Sequence, residues 1–288
     1  MLEYVEETVR KIENDPEVAD REAAFLQLRK LGLDDFGEVL MSMPNPSYPK
    51  LSTLLPAMSE ASVQMNWTGN SGLGLLKQTS VFVRTMSYAY AKITGRTLND
   101  AKVLDYGCGY GRIARLMYYF TGESTLFGVD PWDESIRLCH AAGLRTNFSV
   151  SDYLPKSLPV APRDFDLIYA FSVFTHLSER ATLAALGALR KHIAQNGVLV
   201  ITIRPVEYWQ HDPHTEAKEK VRFAELHRTK GFAFKPHNRS AIDGDITYGD
   251  TSMTLDWLAA NAPDWRLAFA DRSLEDPFQR YIFLKPAL

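Results

Sequence analysis

Strands and helices alternate through the middle of the sequence, and this alternation limits the possible folds more than any other feature. Short apolar stretches with strand character are separated by segments in which apolar residues have helical spacing. The predicted strands are residues 102–105, 125–130, 146–150, 165–171 and 197–203. Parallel strands need long crossover connections, which helices provide. The alternation therefore predicts an α/β fold, a mostly parallel sheet with helices on both faces.

Helical spacing also predicts the segments that precede, separate and follow these strands. The predicted helices are residues 72–95, 111–120, 134–142, 179–193 and 254–261. Two more strands are expected at 265–270 and 279–284, separated by a short reversal. They are predicted to form an antiparallel pair that completes a seven-stranded sheet. Ligands of such sheets bind beyond the carboxyl ends of the strands.

The first 71 residues are predicted to be a helical appendage and linker, and residues 72–288 the main domain. Leu2, Val5, Val9 and Ile12 have the spacing of one helix face. A second helix is predicted to begin after Asp20 and to end at Gly32. Residues 43–50 contain three prolines, which favour an extended linker. The appendage either covers core surface or serves as a substrate lid or dimer contact.

Residues 204–250 interrupt the alternation and are predicted to be a substrate-binding insertion. Residues 204–239 carry eight Lys/Arg against five Asp/Glu. The insertion also holds four of the seven histidines and several aromatic residues: His211, His214, His227, His237, Tyr208, Trp209 and Tyr248. This mixture suits a polar, anionic or sugar-like small molecule, although a solvated lid has the same composition. No metal site is expected, because Pro213 disfavours helical presentation of His211 and His214.

Composition and charge exclude several classes of protein. With 288 residues, 45% of them apolar, the chain can bury a large core, which excludes disordered and fibrous classes. A net charge of -3 argues against a general nucleic-acid binder. No apolar run has the length of a membrane span, and the acidic N-terminus lacks the pattern of a secretory signal. Two cysteines make no disulfide framework. We expect a cytoplasmic protein with a small-molecule substrate and no nucleic-acid or membrane partner; its oligomeric state is left open.

A glycine-rich turn joins the first predicted strand to the helix that follows it. The sequence there is VLDYGCGYGR, in which Asp105 ends the strand and glycines stand at 107, 109 and 111. Such a turn lets backbone N–H groups approach a ligand closely. The spacing is not that of a GxGxxG dinucleotide fingerprint, since position 112 is Arg112. It also lacks the GK[ST] of a phosphate-binding P-loop.

This turn resembles the first motif, Asp-x-Gly-x-Gly-x-Gly, of the class I S-adenosylmethionine (SAM)-dependent methyltransferases. Three further segments are similar to that family's motifs in order and spacing: Asp130 at the end of the second strand, residues 150–153, and residues 165–176. The resemblance covers roughly residues 72–204 and, more loosely, 250–288. It implies a Rossmann-like methyltransferase fold, SAM as cofactor, and methyl transfer by in-line displacement.

The resemblance also implies a set of cofactor-binding residues. These are Asp105, Tyr106, Gly107, Cys108, Gly109, Asp130, Pro131, Trp132, Ser151, Asp152, Tyr153 and Phe171. Asp130 would bind both ribose hydroxyls and Asp152 the adenine amino group. Trp132 and Tyr153 are candidates to sandwich the adenine, and Phe171 to contact the sulfonium through a cation–π interaction.

Purely structural roles compete with several of these assignments. Asp105 can cap the turn that follows it, and Asp152 can be the N-cap of a short helix. Cys108 can be a space filler between glycines, and Phe171 a core residue. A second glycine-rich turn, residues 67–72, either folds over the methionine end of the cofactor or simply opens the next helix.

A hydroxyl acceptor must lose its proton, and a neutral histidine suits that role. His176, after the fourth strand, and His211, in the insertion, are the candidates for a general base. The leading hypothesis is methyl transfer to a polar small molecule, for instance to a hydroxyl of a sugar or another metabolite. The alternatives are a protein or RNA methyltransferase of the same fold, or a non-catalytic SAM-binding subunit.

Overall fold

The computed structural model describes residues 1–144 and 147–287, which contain twelve helices and nine strands. The helices are α1 (Glu3–Asn14), α2 (Arg21–Leu28), α3 (Leu33–Met41), α4 (Pro49–Leu54), α5 (Ala61–Thr68), α6 (Gly72–Thr94), α7 (Arg112–Met117), α8 (Asp133–Ala141), α9 (Glu179–Arg190), α10 (Tyr208–His211), α11 (Ala217–Lys230) and α12 (Leu255–Asn261). The strands are β1 (Val103–Tyr106), β2 (Leu126–Asp130), β3 (Phe148–Val150), β4 (Phe165–Ala170), β5 (Ile193–Ile203), β6 (Phe232–Pro236), β7 (Gly249–Met253), β8 (Trp265–Arg272) and β9 (Arg280–Pro286). None of the described helices is both long and apolar enough to cross a membrane.

Seven strands form one mostly parallel sheet in the order β3-β2-β1-β4-β5-β9-β8. Strand β2 pairs in parallel with β1 and β3, and β4 pairs in parallel with β5. The closing strands β8 and β9 are antiparallel to each other, and β9 is antiparallel to β5. The α/β fold class and the antiparallel closing pair are therefore confirmed. Strands β6 and β7 form a separate antiparallel ribbon.

The chain divides into two compact units, and the first comprises Met1–Tyr88 and Thr97–Val150. Helix α1 buries Val5, Val9 and Ile12, as their spacing predicts. Helix α2 begins at Asp20, whose side chain accepts the N–H of Ala23. The ring of Phe25 in α2 stacks at 4.6 Å on Tyr118, directly after α7. The N-terminal helices thus cover apolar surface next to α7; the predicted domain boundary at residue 71 stays a prediction.

The second unit comprises Ala89–Arg96 and Ser151–Leu288. Its core includes the whole of β4 and β5 apart from a few residues near their starts. The segment predicted as an insertion folds into α10, α11, β6 and the approach to β7. Trp209 is fully buried there, stacks on Phe223 at 4.6 Å and donates its indole N–H to Ser252. This segment therefore has an ordered core of its own.

Two predictions about the N-terminal region are wrong. Gly32 does not end the second helix: α2 stops at Leu28, and Gly32 is the N-cap of α3, which has no counterpart among the predicted helices. The proline-rich segment is not extended throughout, because Pro49 opens α4. Proline suits the first turn of a helix, where its missing N–H would have no helical partner.

Several element boundaries also differ from the predicted ones. Helix α9 ends at Arg190 rather than at 193, and β5 begins at Ile193 rather than at 197. Helix α7 is shorter than its predicted span and ends at Met117. The predicted third strand is confirmed from Phe148 to Val150, whereas its first predicted residue, Thr146, lies outside the described residues.

Candidate active site

The glycine-rich turn between β1 and α7 has the backbone conformation that its sequence predicts. Gly107, Gly109 and Gly111 all have positive φ angles, of 75°, 53° and 77°. A Cβ at position 111 would lie 2.3 Å from Cδ1 of Leu144, so a side chain there meets both steric and conformational resistance. The glycines of the turn therefore leave its backbone free of side chains, which allows a ligand to approach it closely.

Asp130, the last residue of β2, holds this turn in place. Its Oδ2 accepts the N–H of Gly109 and its Oδ1 the N–H of Trp132, both at 2.9 Å. Burial raises the pKa of the carboxyl, while the hydrogen bonds from Trp132 and Gly109 oppose that rise. The side chain of Ser135 is also hydrogen-bonded to this carboxylate, and a carboxylate has about four acceptor sites, so capacity remains for a ligand hydroxyl.

Two tryptophans stack beside the glycine turn. Trp132 is 44% exposed, and its ring lies parallel to that of Trp67 with centroids 4.8 Å apart and an angle of 14°. Trp67 also covers the turn, because a Cβ at Gly109 would be 3.4 Å from its Cδ1. The prediction that Trp132 and Tyr153 sandwich the adenine stays a prediction; the ring that the structure stacks on Trp132 is that of Trp67.

The other predicted residues around this turn are buried. Asp105 lies within β1 and not after it, and Tyr106 ends that strand. Cys108 is buried, which raises the pKa of its thiol. The thiol of Cys139 in α8 donates to the carbonyl of Gly109 at 3.2 Å, which fixes the back of the turn.

Features of the first unit fit the SAM that the resemblance implies. The bare turn offers backbone donors, Asp130 offers acceptors to hydroxyl groups, and the exposed ring of Trp132 offers a stacking surface. Pro131, between Asp130 and Trp132, restricts the backbone conformation and has no backbone N–H to donate. The cofactor roles of these individual residues stay predictions.

Four predicted cofactor residues belong to the second unit. Ser151 is buried, and its hydroxyl has no hydrogen-bond partner in the described part of the chain. Asp152 is exposed and Tyr153 half-buried, and no helix follows them before β4. Asp152 is therefore not a helix N-cap, and the capping alternative is wrong. Phe171 follows β4 directly, half-buried, with its ring 6.4 Å from that of Tyr281.

A polar set lies at the carboxyl end of β4, beside the start of β9. Ser172 has a φ of 58°, in the left-handed region that side chains disfavour. Its backbone N–H donates to Thr202 at 2.7 Å, and its hydroxyl accepts from Gln279 Nε2 at 3.1 Å. Gln279 is only 4% exposed, yet its Oε1 has no partner among the described residues. A strained backbone and an unpaired buried acceptor are both features of ligand sites.

His176, a predicted base, is packed into a second polar cluster. Its Nδ1–H donates to the carbonyl of Gly249 at 2.7 Å, and Nε2 accepts from Arg204 at 3.2 Å. Its ring stacks on Tyr248 with centroids 5.0 Å apart. Burial and the charge of Arg204 lower the pKa of His176 to about 4. The ring is therefore neutral at pH 7 and its lone pair is engaged; its role as base stays a prediction.

Asp250, the second residue of β7, is the centre of this cluster. Its Oδ1 accepts from Arg204 at 2.7 Å and from the hydroxyl of Tyr208 at 2.9 Å. Its Oδ2 accepts from Nε2 of His237 at 2.8 Å. Burial works to raise the pKa of Asp250, but the His237 hydrogen bond and the charge of Arg204 outweigh it, and the pKa falls to about 2.

His211, the other predicted base, ends α10 and is exposed. Its ring lies 5.3 Å from that of Phe278. The carboxylate beside it, Asp212, accepts from Thr215 and from the N–H of His214. Within residues 1–144 and 147–287, no three His, Cys, Asp or Glu side chains are grouped to hold a metal ion.

The two residues at the centre of the polar cluster, Arg204 and Asp250, were not predicted from the sequence. His237 was included only as one histidine of the insertion. Arg204 could have been identified from the sequence, because a cation directly after a buried strand needs a hydrogen-bonding or charged partner. Asp250 could not, because only the pairing of β6 with β7 brings it to His237.

Residues 103–197 match the sequence profile of a methyltransferase domain. No curated protein matches the chain in sequence. Among solved structures, DesVI from Streptomyces venezuelae is similar with a TM-score of 0.52 at 14% identity, over 80% of this chain and 99% of that one. An S-adenosylmethionine-dependent methyltransferase from Clostridium acetobutylicum has a TM-score of 0.51 at 11% identity, over 79% of this chain and 97% of that one. At these identities the likeness concerns the fold.

Proposed function

We propose that this chain, whose residues 103–197 match a methyltransferase domain, is a class I SAM-dependent methyltransferase and that its methyl acceptor is a hydroxyl group of a polar small molecule. SAM supplies a methyl group already activated on a sulfonium. The protein therefore has to hold the two reactants in line, which can lower a barrier by roughly 7–11 kcal/mol.

The unpaired Oε1 of Gln279 is the observation that carries this proposal. A buried amide oxygen without a partner costs free energy unless a ligand donates to it, and a hydroxyl is such a donor. The hydroxyl of Ser172 accepts from Gln279 and shares a 3.2 Å hydrogen bond with Thr175, so it holds the Gln279 amide in place. Both residues belong to the second unit, at the end of the strand whose motif lines the methyl end of the cofactor in the resembling family.

The polar cluster around Asp250 supports a polar acceptor in the same unit. Its charged side chains are largely paired with one another, so the cluster can offer hydrogen bonds to a ligand without presenting a large unpaired charge. An acidic N-terminal region, with eleven Asp/Glu against five Lys/Arg in residues 1–40, does not favour RNA.

The test is production of S-adenosylhomocysteine (SAH) from SAM across a panel of acceptors. The panel contains free and nucleotide-linked sugars, polyols, phenols and primary amines, with folded RNA and a mixed peptide pool as separate arms. We expect SAH only with hydroxylated small molecules. Turnover with RNA or peptides alone would contradict the proposal, and SAH binding without turnover of any arm would favour a non-catalytic subunit.

A pair of variants connects turnover to the acceptor site. Gln279→Ala should raise the KM for the acceptor roughly 10-fold, which corresponds to one hydrogen bond, and leave SAH affinity unchanged. Gln195→Ala removes an exposed glutamine in β5 and is the matched control. Equal KM values in the two variants would remove Gln279 from the acceptor site.

A further inference from the structure

His237 and Asp250 form a histidine–carboxylate pair that the expected sites do not include. An ionised carboxylate only accepts hydrogen bonds, so Nε2 of His237 is the protonated nitrogen at their 2.8 Å contact. In a neutral ring the lone pair is then on Nδ1, for which the described residues offer no partner. The side chain of His237 is 40% exposed, while that of Asp250 is 11% exposed. The lone pair on Nδ1 of His237 is therefore oriented by the contact with Asp250 and is accessible to a ligand.

His176 has the opposite tautomer, and its lone pair is used. Its Nδ1–H is committed to the carbonyl of Gly249, and Nε2 faces a guanidinium N–H of Arg204. Protonation of Nε2 would break the bond to Arg204 and place two cations side by side. Of the two histidines in the cluster, only His237 is arranged to take up a proton.

The ring of His237 is surrounded on several sides. Strand β7 contributes Asp250, and Tyr248 lies just before that strand. The ring of Tyr248 is 5.5 Å from that of His237. His176 lies 6.4 Å away, ring to ring. The other charged or titratable groups of the cluster are Arg204, Tyr208 and Arg239, of which Arg239 lies over the Tyr248 ring at 4.2 Å. Asp250 is the anion that offsets a charge gained by His237.

We propose that His237 is the general base of the methyl transfer, and that Asp250 is the positioning residue that orients it. This inference rests on the proposed hydroxyl acceptor. The acceptor oxygen forms a bond to the methyl carbon while the methyl–sulfur bond breaks and its electron pair remains on sulfur. The hydroxyl proton passes to Nδ1 of His237 and then to water. The products are a methyl ether, SAH and one proton.

The test compares variants on the first hydroxylated compound of the panel that wild type methylates. His237→Gln should lower kcat by roughly 10²–10⁴-fold, the usual contribution of a general base, with KM and SAH affinity within about 3-fold of wild type. The acidic limb of the wild-type kcat/KM profile should disappear in this variant. Asp250→Asn should retain that limb with a reduced kcat, since the ring remains but is less well held.

His214→Gln is the matched control, an exposed histidine of the same segment, and should behave as wild type. His237→Asn, with a melting temperature and an SAH titration for each variant, separates loss of the base from loss of the fold. A folded His237→Gln enzyme with wild-type kcat and an intact acidic limb would overturn the assignment.

A measurement without acceptor separates this inference from the proposed function. Nitrogen-15 NMR of the histidine rings in the SAH complex should show His237 protonated at Nε2 and His176 protonated at Nδ1. Wild-type inactivity on every hydroxylated compound would refute the hydroxyl acceptor, whatever the tautomers are. A ring of His237 protonated at Nδ1 would overturn the base assignment even in an active enzyme.

Discussion

At the scale of single residues, the predicted cofactor site of the first unit is built from a few side chains, each with a structural contact and a predicted contact to the cofactor. Asp130 accepts two backbone N–H groups that fix the glycine turn, and the same carboxylate is the predicted acceptor for the ribose hydroxyls. Trp132 is held by its stack on Trp67 and keeps 44% of its surface exposed. Trp67 begins the glycine-rich segment 67–72 that the sequence offered as a cover for the cofactor, and its stack on Trp132 supports a place for it in the predicted cofactor site.

Trp67→Ala should weaken SAH binding by roughly 2–10-fold, since an aromatic pair contributes about 0.5–1.5 kcal/mol beyond its buried area. Calorimetric titration measures this change. Leu73→Ala, which removes a side chain 64% exposed in α6, is the control and should leave affinity unchanged. Unchanged affinity in Trp67→Ala would restrict Trp67 to a structural role.

The residues that the sequence did and did not predict differ in a physical way. The conformation of the glycine turn and the position of Asp130 at the end of β2 were predictable, because both follow from local sequence. The Trp67–Trp132 stack joins residues 65 positions apart, and the His237–Asp250 pair depends on the register of β6 against β7. Contacts of that kind arise from tertiary packing, which local periodicity does not encode.

At the scale of elements, most strands were predictable and several helices were not. Strands β1, β2, β4 and β5 are mostly apolar, as buried parallel strands are. Helices α4 and α10 have six and four residues, too short to show a repeat. Half of the residues of α11 are charged and only three are buried, Phe223, Ala224 and His227, so the sequence shows no clear apolar helix face.

The junction between the glycine turn and α7 gives a test at this scale. Gly111→Ala should destabilise the protein by about 2–4 kcal/mol, from a left-handed backbone and a clash with Leu144. Gly95→Ala shares the positive φ but meets open space, so it should cost only about 1 kcal/mol. Urea unfolding of both variants measures the difference, and equal losses would mean that the space beside Gly111 is not tightly packed.

At the scale of the whole molecule, the charges buried around Asp250 connect stability to pH. The pKa of Asp250 is about 2 in the folded chain, below its ordinary value of 3.8. A carboxyl group whose pKa is lower in the folded chain stabilises the fold at pH values above its ordinary pKa. This stabilisation is lost as the pH falls toward the pKa of the folded chain. The contribution at neutral pH is about 2 kcal/mol.

Asp250→Asn should therefore lower the free energy of unfolding by about 2 kcal/mol at pH 7, and its deficit relative to wild type should shrink between pH 4 and about 2. Urea titrations of both proteins at pH 7, 5, 4 and 3 measure this. The control is Asp243→Asn, an exposed carboxylate in the same region, with no such trend expected. A deficit that is constant from pH 7 to 3 would contradict the assigned electrostatics.

We predict that the glycine turn and Asp130 form a SAM site, and calorimetric titration of SAH tests this most directly. Wild type should bind with micromolar affinity, and Asp130→Ala should lose roughly 10–100-fold, as expected for a charged hydrogen-bonding group. Asp130→Asn checks that a loss does not come from unfolding, and Asp133→Ala removes an exposed acid three residues away as the control. Binding by wild type that Asp130→Ala weakens to this extent and Asp133→Ala retains is the predicted result. Equal binding by wild type and a folded Asp130→Ala protein would contradict the account.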